Sequence, residues 1–250
     1  MTTLAVVAAL AYLGLCALLF AFQRSLIYFP QPRTQSIGLH TMTLQVDEAR
    51  VLVTARQRSG PDAIIYFGGN AEDVSYSLPT LTAAFPDHAM YLMHYRGYGG
   101  SSGSPSEAAL FADALELFDK VSTQHQNFVV VGRSLGSGVS LYLASLRPVA
   151  RLILITPFHS IQALAAQQFP FFPVRWLLRD KFESWKYAEQ VSVPTLIVAA
   201  ERDEVIPLAS TEALYKHFRP GIASLKVISG TSHNTISEHP QYIRLIQGAR

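Results

Sequence analysis

The run Phe128-Val129-Val130-Val131-Gly132-Arg133-Ser134-Leu135-Gly136-Ser137-Gly138 limits the possible folds more than any other part of this 250-residue chain. A short apolar, β-branched run reads as a buried strand, and the small-residue stretch after it is compatible with a helix. Between them stands G-x-S-x-G. A sharp strand-to-helix turn joins two such elements, and the flanking glycines remove the side chains that would clash in it. Ser134 at the apex has its hydroxyl lifted clear of the sheet. The N–H of Leu135 opens the helix, where it can meet negative charge. Ser134 is therefore a candidate nucleophile.

The pattern needs its context. Gly99-Gly100-Ser101-Ser102-Gly103 also satisfies G-x-S-x-G, but it follows the loop-like Tyr95-Arg96-Gly97-Tyr98 and precedes Ser104-Pro105. No strand feeds that copy and no helix leaves it, so it is set aside.

The rest of the chain alternates strands and helices. Residues 40–47 and 51–56 alternate enough for two antiparallel strands. A buried-strand run follows at 63–67, and further strands at 88–95, 128–131, 152–155, 195–199 and 225–228. Helical stretches lie at 73–85, where Pro79 kinks or splits the helix, and at 106–123, 136–146, 208–218 and 239–248. Residues 23–38 read as a Pro-containing connector. The expected fold class is α/β, a mostly parallel central sheet with helices on both faces. Residues 158–187 interrupt the alternation and are rich in aromatics: Phe158, Phe169, Phe171, Phe172, Trp176, Phe182 and Trp185. They read as a short helical cap over the strand ends. Equally, these aromatics could simply pack the cap on the sheet.

Residues 4–22 carry no charge. As a helix those 19 residues span about 29 Å, the thickness of a hydrocarbon core. Gln23-Arg24 ends the run, and Tyr28, Phe29 and Arg33 are suited to anchoring at an interface. A cleaved signal peptide is the rival reading. Against it, no Lys or Arg precedes the run and no clean A-x-A site follows. The leucine before Cys16 makes a poor lipoprotein signal, and a buried core helix is disfavoured by length and position. The expected organisation is a single-pass membrane anchor over 1–24 and one α/β domain over 25–250. The amino terminus is the only positive group on one side, with Arg24 and Arg33 on the other, which favours a cytoplasmic domain.

Bulk composition narrows the function. Residues are 49% hydrophobic and 15% charged, ample for a large core, and the net charge of +2 comes without a long basic run. Nucleic-acid binding is not expected. The single cysteine, Cys16, rules out an intramolecular disulfide framework, and no metal-ligand spacing or cofactor motif is present.

A serine hydroxyl needs a base, and the base needs an orienting acid. In a fold of this kind the order is Ser, then Asp or Glu, then His. Four of the eight histidines (40, 88, 94 and 125) precede Ser134. His159 comes too early, His217 lies within a helical stretch, and His239 sits beside Pro240. His233, in the loop after the 225–228 strand, is the expected base. Glu201, Asp203 and Glu204 compete as the acid after the 195–199 strand. Asp203 leads because it occupies the turn, with Glu204 the alternative. An oxyanion hole needs two convergent N–H groups. Leu135 supplies one, and Gly69 or Asn70, after the 63–67 strand, the other.

Five segments together resemble the α/β-hydrolase superfamily, and more narrowly the Bem46-like serine hydrolases related to the S33 serine aminopeptidase domain. They are Gln23-Arg24-Ser25-Leu26-Ile27-Tyr28-Phe29-Pro30, Tyr66-Phe67-Gly68-Gly69-Asn70-Ala71-Glu72, Tyr95-Arg96-Gly97-Tyr98-Gly99-Gly100-Ser101, Gly132-Arg133-Ser134-Leu135-Gly136, and Arg202-Asp203-Glu204-Val205-Ile206-Pro207 with Ser232-His233-Asn234. The resemblance implies Ser134 as nucleophile, Asp203 as acid, His233 as base and oxyanion N–H groups from Asn70 and Leu135. Relatives often carry His-Gly-Asn-Ala where this chain has Gly68-Gly69-Asn70-Ala71, so the histidine brace is lost. The superfamily includes esterases, lipases, thioesterases and peptidases. The expected substrate is a small-molecule or lipid-derived ester or thioester, and no cofactor is required. The alternatives are an amide-cleaving peptidase, for which Glu72 and Asp73 are the acids near the oxyanion loop, and a non-catalytic scaffold.

Overall fold

A computed structural model describes residues 2–33 and 40–248. Eight strands form one sheet: β1 (His40–Val46), β2 (Ala49–Arg56), β3 (Asp62–Phe67), β4 (Ala89–Met93), β5 (Asn127–Arg133), β6 (Arg151–Ile155), β7 (Thr195–Ala200) and β8 (Ala223–Ile228). Their spatial order is β1-β2-β4-β3-β5-β6-β7-β8. β1 and β2 pair antiparallel, as does β2 with β4, and every other pair is parallel. The α/β expectation holds.

Both faces of the central strands are covered. Along β3, Ile64 and Tyr66 enter one core while Ala63, Ile65 and Phe67 enter the other. That explains why these strands read as continuous apolar runs rather than alternating ones. Helices α3 (Glu107–Val121) and α4 (Leu135–Leu146) cover one face, and α2 (Leu78–Ala84) and α9 (Gln241–Gly248) the other. The helix expected over 73–85 is split: a 3₁₀ turn at Val74–Ser77 precedes α2, and Pro79 sits in the first turn of α2. There its missing N–H has no partner to lose.

The cap consists of α5 (Ile161–Gln168), α6 (Val174–Leu177) and α7 (Ser184–Ala188), followed after β7 by α8 (Leu208–Tyr215). Its aromatics divide. Phe158 and Phe182 are fully buried, whereas Phe171 is 85% and Trp176 82% exposed.

Helix α1 (Thr2–Ile27) is one continuous helix, about 39 Å long. It runs past Arg24, so the connector begins at Tyr28 rather than at Gln23. Residues 34–38 of that connector lie outside the described residues. Among the residues of α1 only Cys16 and Gln23 are buried, so α1 is not a core helix. It is long and apolar enough to cross a membrane. Its C-terminal end is bonded to the domain. Gln23 Nε2 donates to the Leu177 carbonyl (3.0 Å) and Gln23 Oε1 accepts from the Arg179 N–H (2.6 Å). Arg24 and Tyr28 both reach Asp180, at 3.0 and 3.1 Å.

Candidate active site

The site stands at the C-terminal ends of β3, β5, β7 and β8. Ser134 follows β5 with φ +48° and ψ −117°, an unfavourable backbone for a residue with a Cβ. Its N–H donates to the Ile155 carbonyl of β6 at 2.9 Å, and its carbonyl accepts from Ser137 Oγ at 2.6 Å. Both flanking glycines are there because of contact. A Cβ on Gly136 would lie 2.0 Å from the Phe67 carbonyl oxygen, and one on Gly132 2.2 Å from Ser140 Oγ. The elbow is therefore pressed into β3 and α4, and that packing holds the strained Ser134 backbone in place.

His233 lies in the loop after β8, where the Thr231 hydroxyl donates to the Ile228 carbonyl (2.7 Å) and the Ser232 N–H to Thr235 Oγ1 (2.9 Å). His233 Nε2 is 3.1 Å from Ser134 Oγ. Its Nδ1 is 2.8 Å from Asp203 Oδ2 and 3.0 Å from Oδ1. An ionised carboxylate can only accept, so Nδ1 carries the ring proton and Nε2 presents a lone pair to the serine hydroxyl. Asp203 is fixed in turn by the N–H groups of Val205 (2.9 Å) and Ile206 (2.6 Å), both donating to Oδ1. The competing Glu204 accepts from the backbone N–H of His233 at 3.3 Å and does not meet the ring.

The loop after β3 lies against the serine; a Cβ on Gly69 would be 3.6 Å from that of Ser134. The Gly69 N–H is already taken by Glu72 Oε2 at 2.6 Å. Among the described residues the N–H groups of Asn70 and Leu135 have no protein acceptor, so of the two candidates after β3 the free donor is that of Asn70. Its side chain does something else. Asn70 Nδ2 donates to the Ile27 carbonyl of α1 at 2.7 Å. Its Oδ1 accepts from the Tyr98 hydroxyl (2.8 Å) and the Phe29 N–H (3.0 Å).

Two residues have positioning roles that the sequence reading did not assign to them. Glu72 accepts from Gly69, Tyr66 Oη (2.7 Å) and Ser77 Oγ (2.7 Å), and faces Arg133 Nη1 at 3.5 Å. It braces the loop after β3. A Cβ on Gly68 would lie 2.5 Å from Val74 Cγ1, so Val74 leaves no room for a side chain there. Arg133, the variable residue of the motif, spans Glu72 and the His233 carbonyl (3.4 Å). Burial opposes the charge on Arg133, but Tyr66 and Glu72 outweigh it and hold the guanidinium above its ordinary value. Burial, reinforced by Glu72, pushes the Tyr66 hydroxyl well up. The Tyr95 hydroxyl, also pushed up by burial, donates to the Gly68 carbonyl at 2.7 Å. Nothing in a single sequence marks Glu72 as the brace, though its spacing of three from Gly69 is that of a local side-chain-to-backbone bond.

The rejected motif copy is structural. Ser101 Oγ donates to the His94 carbonyl (2.9 Å) and accepts from the Leu52 N–H (2.9 Å). Two cavities flank the site. One, of about 590 Å³, is lined by polar groups including Asn70, Glu72, Arg133 and Asn234. The other, of about 440 Å³, is apolar and lies between α1 and the cap. Among the described residues no group of three or more His, Cys, Asp or Glu could hold a metal ion.

This sheet order, elbow and loop set define the α/β-hydrolase fold, and the chain belongs to that family, in its Bem46-like part. The family pattern described as alpha/beta hydrolase fold matches residues 62–179. A protein of Mycobacterium tuberculosis is 33% identical over 224 residues, covering 83% of this chain and 79% of the relative. The protein bem46 of Schizosaccharomyces pombe is 27% identical over 217 residues, covering 76% and 72%. Among solved structures, an esterase of Pyrococcus furiosus superposes with a TM-score of 0.71 at 12% identity, covering 88% of this chain and 96% of that one. Est1E of Butyrivibrio proteoclasticus, solved with ferulic acid, gives 0.68 at 15% identity, covering 83% and 96%. At these identities the solved structures speak for the fold alone.

Proposed function

We propose that this protein is a membrane-anchored serine hydrolase that cleaves ester or thioester bonds of acyl substrates. The observation that carries the reading is the unbroken bond chain from Ser134 Oγ through His233 to Asp203, with the Leu135 N–H beside the serine at the start of α4. In the first half-reaction Ser134 Oγ bonds to the acyl carbon while its proton passes to His233 Nε2. The oxyanion takes hydrogen bonds from the N–H groups of Leu135 and Asn70. The carbon–oxygen or carbon–sulfur bond then breaks, and His233 returns the proton to the leaving group. Water, deprotonated by His233, attacks the acyl-enzyme and frees Ser134. Asp203 orients the imidazole and stabilises its charged form without taking the proton.

The bonds from Gln23, Arg24 and Tyr28 to the cap support α1 as a retained anchor rather than a cleaved leader. The peptidase alternative needs an acid to receive a free amino group. Glu72, the acid nearest the oxyanion loop, is occupied by Gly69, Tyr66 and Ser77. Fluorophosphonate labelling tests the central claim. The wild-type chain should be labelled and should turn over 4-nitrophenyl butyrate, and Ser134→Ala should do neither. No adduct on the wild type, or equal labelling of Ser134→Ala, would leave a scaffold on a hydrolase fold.

A further inference from the structure

We propose that the apolar groove between α1 and the cap is an acyl-chain site filled directly from a lipid bilayer, with the cap tip at 169–174 inserted beside α1. This rests on the serine-hydrolase reading and names its substrate class: long-chain acyl esters of membrane lipids.

Position comes first. Arg24 is the first charge after the apolar run of α1. Leu19, which lines the groove, is five residues before it, about 7 Å deeper along a helix. The cap tip goes further. The Tyr12 hydroxyl donates to the Phe171 carbonyl at 2.9 Å, and the Tyr12 and Phe172 rings stack at 5.8 Å. Tyr12 precedes Arg24 by twelve residues, so the tip reaches about 18 Å along α1 from that charge, more than half a hydrocarbon core of about 30 Å. If α1 crosses a membrane, the tip is in it.

The tip is built for that medium. Residues 169–174 are Phe-Pro-Phe-Phe-Pro-Val, without a charge. Backbone groups inside a bilayer must be satisfied internally. The N–H groups of Phe169, Phe172 and Val174 donate to Ala165, Phe169 and Phe172, and the two prolines have none to satisfy. Among the described residues only the Phe171 N–H of this stretch has no acceptor. Phe171 and Trp176 leave large apolar surfaces exposed, which water disfavours. A belt suited to headgroups follows. Arg24 is paired with Asp180, and the Arg179 guanidinium lies 4.0 Å over the Phe20 ring.

The groove continues from this seam to the catalytic loops. Leu19, Leu26 and Ile27 form its α1 wall, Leu164 and Phe169 its cap wall, and Glu204 and Val205, which follow Asp203 in the chain, also line it. Gln23, on the α1 wall, spends its amide on the backbone carbonyls of Phe20 and Leu177 and on the Arg179 N–H; Gln167, Gln168 and Glu204 also line the groove, and the remaining residues are apolar. At about 440 Å³ the open groove has the size of a small-molecule cleft. Passing from bilayer to groove, the chain exchanges one apolar medium for another, so its entry needs no exposure of methylenes to water.

The test uses the full chain in phosphatidylcholine nanodiscs. The first arm cross-links Ser134→Ala with a phosphatidylcholine carrying a diazirine near the end of its acyl chain. Labelled peptides should come from 161–168 as well as from α1. Labelling confined to residues 4–15 would overturn the proposal. The second arm compares 4-nitrophenyl palmitate with 4-nitrophenyl butyrate in Leu164→Trp, whose larger side chain narrows the groove. The palmitate-to-butyrate ratio of kcat/KM should fall at least tenfold against wild type, and an unchanged ratio would overturn the proposal. Cross-linking does not need turnover, so the two readings fail separately. A labelled groove in a protein that hydrolyses neither ester would sink the hydrolase reading and leave the acyl site standing.

Discussion

Replacing Glu72 separates positioning of the oxyanion loop from the chemistry at Ser134. Its Oε2 accepts from the Gly69 N–H and faces Arg133; its Oε1 accepts from the hydroxyls of Tyr66 and Ser77. The side chain is 10% exposed, so these bonds are poorly screened. Hydrogen bonds to a charged group contribute about 1.5–3 kcal/mol each. Stripping one partner from a buried charged cluster costs about 3–5 kcal/mol because the other is left behind, here Arg133. Glu72→Ala should therefore lose about that much stability. It should also release the loop that sets the Asn70 N–H. Losing one oxyanion donor lowers kcat by about 10²–10³.

Glu72→Gln is the informative partner. With its amide oxygen at the Oε2 position it still accepts from Gly69. Its NH₂ then faces two hydroxyls, and both can turn to accept. The Gly69 bond is kept while charge assistance and the two hydroxyl donations are lost, so kcat should stay within about tenfold of wild type, equivalent to about 1.4 kcal/mol. The assay is kcat and KM on 4-nitrophenyl butyrate, read beside a thermal melt and the rate of fluorophosphonate labelling. The loss should fall on kcat rather than KM. A folded Glu72→Ala with wild-type kcat, or a glutamine variant as impaired as the alanine one, would refute the reasoning.

Asp203→Asn should lower kcat by about 10⁴ through the wrong histidine tautomer, whereas Glu204→Gln, which touches only the His233 backbone, should stay within about tenfold; steady-state kinetics on both compares the two acids. Gly68→Ala should cost about 1–3 kcal/mol by overpacking, and chemical denaturation of the double variant with Val74→Ala should show less than the summed loss. Burial lowers the His94 pKa to about 4, below its unfolded value of about 6.5. A depressed histidine contributes stability above the unfolded value, here about 3 kcal/mol, and that contribution is lost as pH falls from about 6.5 to about 4. Urea denaturation across that window should be steeper in pH for wild type than for His94→Gln, and equal slopes would count against it. Asn70→Ala keeps its backbone N–H yet frees the loop from α1 and Tyr98, so kcat should fall by about 10-fold or more; unchanged kinetics would show that the side chain plays no positioning part.

The residues that meet at Ser134 were legible because each follows its own strand. β5, β7 and β8 are parallel neighbours or near neighbours, so whatever follows them gathers at one edge. Local turn chemistry then separated Asp203 from Glu204, since an aspartate carboxyl can reach the N–H groups two and three residues on. Other parts had no local signal. The insertion of β4 between β2 and β3 depends on pairing across the whole sheet. The brace by Glu72 depends on Arg133, sixty-one residues away. The cap aromatics looked alike in sequence, but exposure divides Phe158 and Phe182 from Phe171 and Trp176.

Asn70 shows why such non-local facts matter to function. Sequence pointed to its backbone N–H, which has no protein acceptor among the described residues. The side chain of the same residue holds the Ile27 carbonyl and the Phe29 N–H at the end of α1. The α1 end is held again through Gln23 and Arg24 to the cap. A domain joined to a helix by a flexible linker samples many orientations, and one bonded at several points on two sides does not. The helix proposed as an anchor therefore fixes the direction in which the Ser134 edge faces, and it is bonded through Asn70 to the loop that would receive the oxyanion. Attachment and catalysis then depend on one set of hydrogen bonds, so a change that loosens α1 from Asn70 reaches the chemistry without touching Ser134, His233 or Asp203.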